Sequence, residues 1–430
     1  MRKDRSLSLD QRLFLKVYNL IWFLALPCLY GCKRIRSNFS RRVWFSDLDG
    51  QRDVDVWIQA ASGGEAHIAN EIMQNWPLNT PTTILVTTNT EQGLETLQET
   101  EPPEHIVRRL EICPFDAPCF MNKALRHYNP KLVVLLETEL WPGLLSECRL
   151  KNIPIVLVNG RLQTRNMARY LAFPRFMAQI KPEQVFAVSQ EDALRFNHVL
   201  GTESAEVMPN IKFDRCNWSA PIPYVHNPIS GLMKAQSQFV VFGSVRKEEE
   251  DIVLQSVIRI LHKRPRAIIG IFPRHVERVY AWRQSLEATR LTWNLRSKLE
   301  KKAHQGTVIL WDQFGELEYA YALARSVFVG GTMAPLGGQN FLEPLAQGVI
   351  PCIGPYWQNF QWVGQEIVQQ GLVQQVSHLD DLVEAMLENV KNPANRDKIH
   401  TKFQKYVQTH QGGTKFVIQR LLPYLQKSRS

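Results

Sequence analysis

From about residue 50 onward the sequence alternates short apolar runs with stretches whose apolar residues recur every three to four positions. That alternation predicts parallel strands joined by helices. The runs place strands at 54–60, 83–87, 132–137, 155–159 and 185–189 in the first half. In the second half they fall at 239–243, 267–272, 308–311, 327–330 and 350–353. Between the two sets, 216–235 carries three prolines and little periodicity, and reads as a linker. The pattern predicts two doubly wound, Rossmann-like α/β domains facing one another across a cleft, at 36–215 and 236–430. A C-terminal helix is expected to close the second.

Ahead of this body lies an apolar segment, Leu13 to Tyr30, interrupted by Lys16, Asn19 and Pro27. Eighteen residues sit at the lower edge of a spanning helix, about 17–25. Trp22 and the tyrosines suit a membrane interface. Residues 1–35 are therefore expected to be a membrane anchor, spanning or interfacial. A cleaved signal peptide lacks a small-residue cleavage site. A lipoprotein-type acylation at Cys32 meets the bulky Tyr30. A buried core helix is the remaining alternative.

Charge sharpens the picture. The chain carries +10, but residues 1–46 alone hold ten basic residues against two acids. The rest is nearly neutral, which disfavours a nucleic-acid binder and points to a membrane-associated terminus. Basic residues flank the apolar segment on both sides, so charge does not orient it. The composition, 44% apolar and 21% charged, excludes disorder. Seven scattered cysteines without a CxxC pair favour neither a disulfide framework nor a zinc site, and a reducing cytosol fits best.

In open α/β sheets, ligands bind at the carboxyl ends of strands. The first strand runs into Ala61-Ser62-Gly63-Gly64-Glu65, which puts Glu65 at a helix start. It could serve as a base or simply complement the helix dipole, which would lower its pKa unless desolvation compensates. The apolar run 132–136 ends in Glu137-Thr138-Glu139, carboxylates that are more readily explained by a ligand than by surface decoration. Asn159-Gly160-Arg161 follows another strand. In the second half, Arg274 closes a strand and suits a phosphate or carboxylate. Gly330-Gly331-Thr332 and Gly337-Gly338 are glycine loops of the kind that cradle phosphates, a weak signal alone. Asp47-Leu48-Asp49 and Asp53-Val54-Asp55 are formally DxD, but their contexts do not suit metal binding. No metal and no cofactor is expected.

These motifs, in this order, resemble the Kdo (3-deoxy-D-manno-oct-2-ulosonic acid) transferases of lipopolysaccharide synthesis. The matching runs are ASGGEA (61–66), TTNTEQG (87–93), PFDAP (114–118), PKLVVLLETELWP (130–142), NGRL (159–162), NIKFD (210–214), PRHVER (273–278), FGEL (314–317), GGTMAPLGGQNFLEPLAQG (330–348) and GPYWQNF (354–360). The resemblance implies a two-domain GT-B-type glycosyltransferase with CMP-Kdo as donor and a lipid A precursor (lipid IVA) as acceptor. It implies a bacterial inner-membrane enzyme with its body on the cytoplasmic face. Glu65 matches the family's catalytic base, and Glu137 and Lys212 match positions credited with transition-state stabilisation. Pro273, Arg274, Phe314, Gly315, Glu316, Asn340, Phe341, Leu342 and Glu343 match the CMP site.

The sequence departs from the family at several of these places. Gly63 stands where valine is usual, Glu91-Gln92 where proline-threonine is usual, and Val245-Arg246 where threonine-histidine is usual. Gln339 and Tyr356 each replace a histidine. The chemistry fits the residues nonetheless. A positioned carboxylate removes the acceptor's proton, typically contributing about 10²–10⁴-fold, and a single displacement inverts the anomeric centre. A nucleotide-sugar epimerase and an inactive membrane-bound lipid-binding homologue are the competing readings.

Overall fold

The computed structural model describes residues 9–43, 52–78, 81–216 and 220–427. The chain forms two compact units, 1–215 with 410–430, and 216–409. Each is built on a seven-stranded sheet whose pairings, among the described residues, are all parallel.

The first sheet comprises β1 (Val56–Gln59), β2 (Thr82–Thr88), β3 (Ile106–Ile112), β4 (Leu132–Leu136), β5 (Ile155–Gly160), β6 (Gln184–Ala187) and β7 (Ala205–Val207). The order β3-β2-β1-β4-β5-β6-β7 puts its reversal between β1 and β4. The second comprises β8 (Phe239–Val245), β9 (Ile268–Pro273), β10 (Thr292–Leu295), β11 (Thr307–Leu310), β12 (Ser326–Val329), β13 (Pro351–Ile353) and β14 (Gln374–Gln375), in the order β10-β11-β9-β8-β12-β13-β14. Its reversal lies between β8 and β12. Ligands of doubly wound sheets bind at such reversals. The central strands β1, β4 and β12 are buried at every position because helices cover both faces.

The helices that matter for the site are α1 (Leu9–Gly31), α2 (Gly63–Gln74), α3 (Pro118–Tyr128), α4 (Pro142–Leu150), α5 (Pro174–Ile180) and α6 (Gly413–Lys427). Two features differ from expectation. The segment 216–235 belongs to the second unit rather than standing between the units. Helix α6 does not close the second unit but covers the first sheet. Val417, Ile418, Leu421 and Leu425 join the core with Ile58, Ile72, Phe186 and Met208. The crossing is fastened by Asp214, whose carboxylate accepts from the Gly412 and Thr414 amides, both at 2.6 Å. An apolar stripe on α6 over exposed sheet surface accounts for the return.

Helix α1 is long and apolar enough to cross a membrane, yet one of its faces is already occupied. Phe14 packs on Phe176 of α5 at 4.1 Å and Trp22 on Phe115 at 5.5 Å between ring centres. Leu15 is buried in the first unit's core. The opposite stripe, Leu13, Val17, Leu20, Ile21 and Leu24, is exposed. The basic flank is partly committed as well. Arg41 lies 4.0 Å from Glu91 and 3.8 Å from Glu111, and Arg42 lies over the Phe115 ring at 5.3 Å.

Candidate functional site

Three carboxylates meet where the first sheet reverses. The chain leaves β1 and enters α2 through a tight turn. Ser62 caps the helix, its Oγ accepting from the Glu65 amide at 3.4 Å, while Glu65 Oε2 accepts from the Ala61 amide at 2.6 Å. The Ser62 hydroxyl also donates to Glu65 Oε1 at 3.2 Å, so serine and glutamate three residues apart hold one another. This arrangement is a variant of the capping box, with the Ala61 amide as the second donor. It turns Glu65 back toward the strand end, where it is buried. Burial, then the carboxylates of Glu139 and Glu137, push its pKa up to about 9, against the opposing bonds from Ala61 and Ser62. Desolvation and like charge thus overcome the helix N-terminus.

Glu137 follows β4 with φ of +53°, a left-handed conformation that a residue with a side chain adopts at a cost. Its amide donates to Val158 at 3.1 Å, and its Oε1 accepts from Lys212 Nζ at 2.6 Å. Lys212 comes from a single turn, Ile211–Phe213. Asn210 Oδ1 accepts from the Lys212 amide at 3.0 Å, and Asn159, at the end of β5, accepts from the Ile211 amide at 3.0 Å. Asn159 of the NGRL run therefore sets the height of the lysine. Glu139 is the residue that sequence reasoning left without a role. Burial pushes its pKa up to about 7, the Trp141 indole N–H opposes, and Glu137 and Asp116 add to the rise. The sequence held the signal, since both glutamates follow the same apolar run.

In the second unit, Val245 of β8 pairs with Pro273 of β9. Arg246 and Arg274 therefore leave neighbouring strands side by side, and the Arg274 amide donates to Val245 at 2.8 Å. Ser244, just before, has φ of +54°. Burial raises the Glu343 carboxyl; Asn340, whose Nδ2 donates to it at 2.9 Å, opposes, Glu318 adds to the rise and Arg274 opposes it too. Burial raises Glu316 as well, but bidentate bonds from Arg296 at 2.7 and 2.8 Å, and one from Trp311, hold it below the usual range. Phe314 is 74% exposed beside Gly315.

Phe341 and Leu342 are buried, Phe341 against Trp357 and Phe360, so their side chains shape the site from beneath. The glycine loop 330–332 also differs from expectation. The amides of Gly331, Thr332 and Met333 donate to the buried Glu249 carboxylate at 2.5, 2.9 and 2.8 Å. An internal carboxylate fills the cradle suggested for a phosphate. Asp55 is likewise engaged, by Lys131 at 2.6 Å and the Thr83 amide at 2.8 Å. Asp47 and Asp49 lie outside the described residues.

Residues 35–215 match the family model described as 3-deoxy-D-manno-octulosonic-acid transferase (Kdo transferase). A 3-deoxy-D-manno-octulosonic acid transferase of Haemophilus influenzae is 28% identical over 87% of this chain and 88% of its own. The chain thus carries the Kdo transferase domain over its first half and resembles Kdo transferases along most of its length. A bifunctional glycosyltransferase/methyltransferase of Fusobacterium nucleatum is 28% identical over 89% of the chain, which spans 60% of that longer protein. A crystal structure of the Anabaena protein HepE in complex with UDP shares the fold, with a TM-score of 0.55 over 87% of this chain and 100% of that one, at 13% identity. The fold is that of GT-B-type glycosyltransferases.

Within the Kdo transferase pattern, two of the departures are neighbours in space. A Cβ on Gly63 would stand 3.7 Å from the side chain of Gln92, an ordinary packing distance. A side chain at 63 would therefore meet Gln92 directly.

Proposed function

We propose that this Kdo transferase moves Kdo from CMP-Kdo to a lipid A precursor by inverting single displacement, with Glu65 as the general base. The observation that carries this is the Glu65 carboxyl itself. It is buried, aimed by Ala61 and Ser62, and its pKa is pushed up to about 9 by burial and by two neighbouring carboxylates. Such a group binds a proton strongly once ionised, which is what a base must do as a hydroxyl attacks. The acceptor hydroxyl gives its proton to Glu65 as its oxygen bonds to the anomeric carbon. The bond from that carbon to the CMP oxygen breaks, and the electron pair leaves with CMP. Lys212 offsets the charge of Glu137, which limits further repulsion at Glu65. Arg274, with Arg246 beside it, suits the donor's anionic groups.

The test is direct. Protein incubated with CMP-Kdo and a tetraacylated lipid A precursor should release CMP and yield a lipid heavier by Kdo on mass spectrometry. Release of CMP without a heavier lipid, or neither product, would refute this reading. A rise in pH should increase kcat/KM by close to tenfold per unit from about 7 toward 9. Below its pKa the carboxyl of Glu65 already carries the proton it would need to accept. A pH profile flat across that interval would remove Glu65 as the base.

Replacing Arg274 with alanine should weaken CMP binding by about 2 kcal/mol, within the range for a charge-assisted hydrogen bond. Calorimetry giving unchanged CMP affinity would place the donor elsewhere. For the membrane, we propose that α1 lies in the interface and does not cross it. Its face from Phe14 to Trp22 packs on the first unit, so lipid reaches the other stripe alone. Because CMP-Kdo is a soluble nucleotide sugar, the catalytic body belongs on the cytoplasmic face of a bacterial inner membrane.

A further inference from the structure

We infer that α1 is part of the catalytic framework as well as a membrane contact: Tyr18, acting through Asp116, holds the loop that carries Glu137 and Glu139. Asp116 is buried and is served from two directions. Its Oδ2 accepts from the Gly143 amide at 2.8 Å and from the Tyr18 hydroxyl at 2.9 Å, and its Oδ1 accepts from the Leu144 amide at 2.8 Å. Those two amides stand in the first turn of α4, where no carbonyl of the helix can reach them. Helix α4 begins at Pro142, immediately after the loop 137–141. Asp116 therefore fixes where the loop ends, while the Glu137 amide on Val158 fixes where it starts. The approach is close: a Cβ on Gly143 would fall 2.0 Å from the Asp116 carbonyl oxygen.

The loop between these two points is short and internally bonded, the Leu140 amide to Thr138 at 2.8 Å and the Trp141 amide to Glu139 at 3.1 Å. A shift of α4 would move Glu139 and then Glu137. The helix α1 grips the same region with several side chains. Trp22 packs on Phe115, the neighbour of Asp116, Phe23 packs on Phe120 at 6.2 Å, and Asn19 accepts from the Cys119 amide at 3.3 Å. Packing alone would be served by phenylalanine at position 18. The hydroxyl supplies a third donor to a carboxylate that burial would otherwise leave short of partners. Neither Tyr18 nor Asp116 touches a reacting group, so both are positioning residues. Their role rests on the reading of the 137–141 loop as catalytic.

The test compares the full chain with Tyr18→Phe and Asp116→Asn in detergent, with the acceptor dispersed in the same micelles so that membrane binding does not enter. Hydrogen exchange across 140–146 should be about tenfold faster in Tyr18→Phe and faster still in Asp116→Asn. The kcat of Tyr18→Phe should fall about tenfold, with KM for CMP-Kdo unchanged. A residue that serves folding alone would lower the melting temperature and leave kcat intact. Exchange in Tyr18→Phe equal to that of the unchanged protein would overturn the inference, as would faster exchange with full kcat. Faster exchange in a protein whose unaltered form transfers no Kdo would uphold the coupling and refute the proposed function instead.

Discussion

Replacing Glu65 with glutamine is expected to lower turnover by roughly 10²-fold or more while leaving CMP-Kdo affinity near that of the unaltered protein. The amide keeps the shape of the side chain and one acceptor oxygen, so the Ala61 amide at 2.6 Å can still be satisfied. The change removes the ability to take up a proton. Glu65, with its pKa pushed up to about 9, is already neutral where Glu139 takes up its proton, so the glutamine should leave Glu139 as it is. Single-turnover measurements separate the chemical step from binding. Near-normal turnover in Glu65→Gln would end the assignment of the base, and the base would then have to be sought at Glu139.

Glu249→Ala is expected to destabilise the second unit by at least about 4 kcal/mol, because three backbone amides lose a buried charged acceptor at about 1.5–3 kcal/mol each. The amides belong to Gly331, Thr332 and Met333, directly after β12 at the reversal of the second sheet. The Arg246 amide also donates to the same carboxylate, at 3.3 Å. At about 2–4 °C per kcal/mol for a unit of this size, the melting temperature should drop by roughly 8 °C or more. CMP binding should weaken with it, since Arg246 and the glycine loop are both set by this one side chain. A melting temperature within a degree or two of the unaltered protein would show that solvent replaces the carboxylate without penalty.

The central strands were legible in the sequence because they are apolar at every position, as in Leu132–Leu136. The four strands that pattern did not reveal, β3, β7, β10 and β14, are the sheet edges. There one side or one margin meets solvent, and the sequence reads polar: Ile106–Ile112 carries two arginines and a glutamate. Edge strands form because a neighbour offers an unpaired ladder, which local sequence does not record. Glu65, Glu137 and Lys212 were reachable through family motifs, and the first two also through their place after apolar runs. What joins Lys212 to Glu137 is a contact across 75 residues, visible only in the fold. The glycine loop misled for a related reason. Glycine and small residues announce exposed amides, but nothing in 330–338 says that Glu249, some 80 residues earlier, reaches them first. Phe341 and Leu342 sit in a motif that the resemblance assigns to the nucleotide, yet their side chains are core.

The return of α6 to the first sheet has a consequence for biosynthesis. Asp214 and Thr414 are 200 residues apart, and the whole second unit is made between them. As the ribosome releases the chain, strands β1 to β7 emerge early but lack the helix that covers Ile58, Ile72 and Phe186. The half that carries Glu65, Glu137 and Lys212 must wait, with apolar sheet surface uncovered, until translation has passed residue 425. A nascent chain stalled anywhere in the second unit would therefore present a chaperone with an incomplete first unit. Premature stop codons as late as 410 should yield protein that is degraded and does not accumulate as a free first domain.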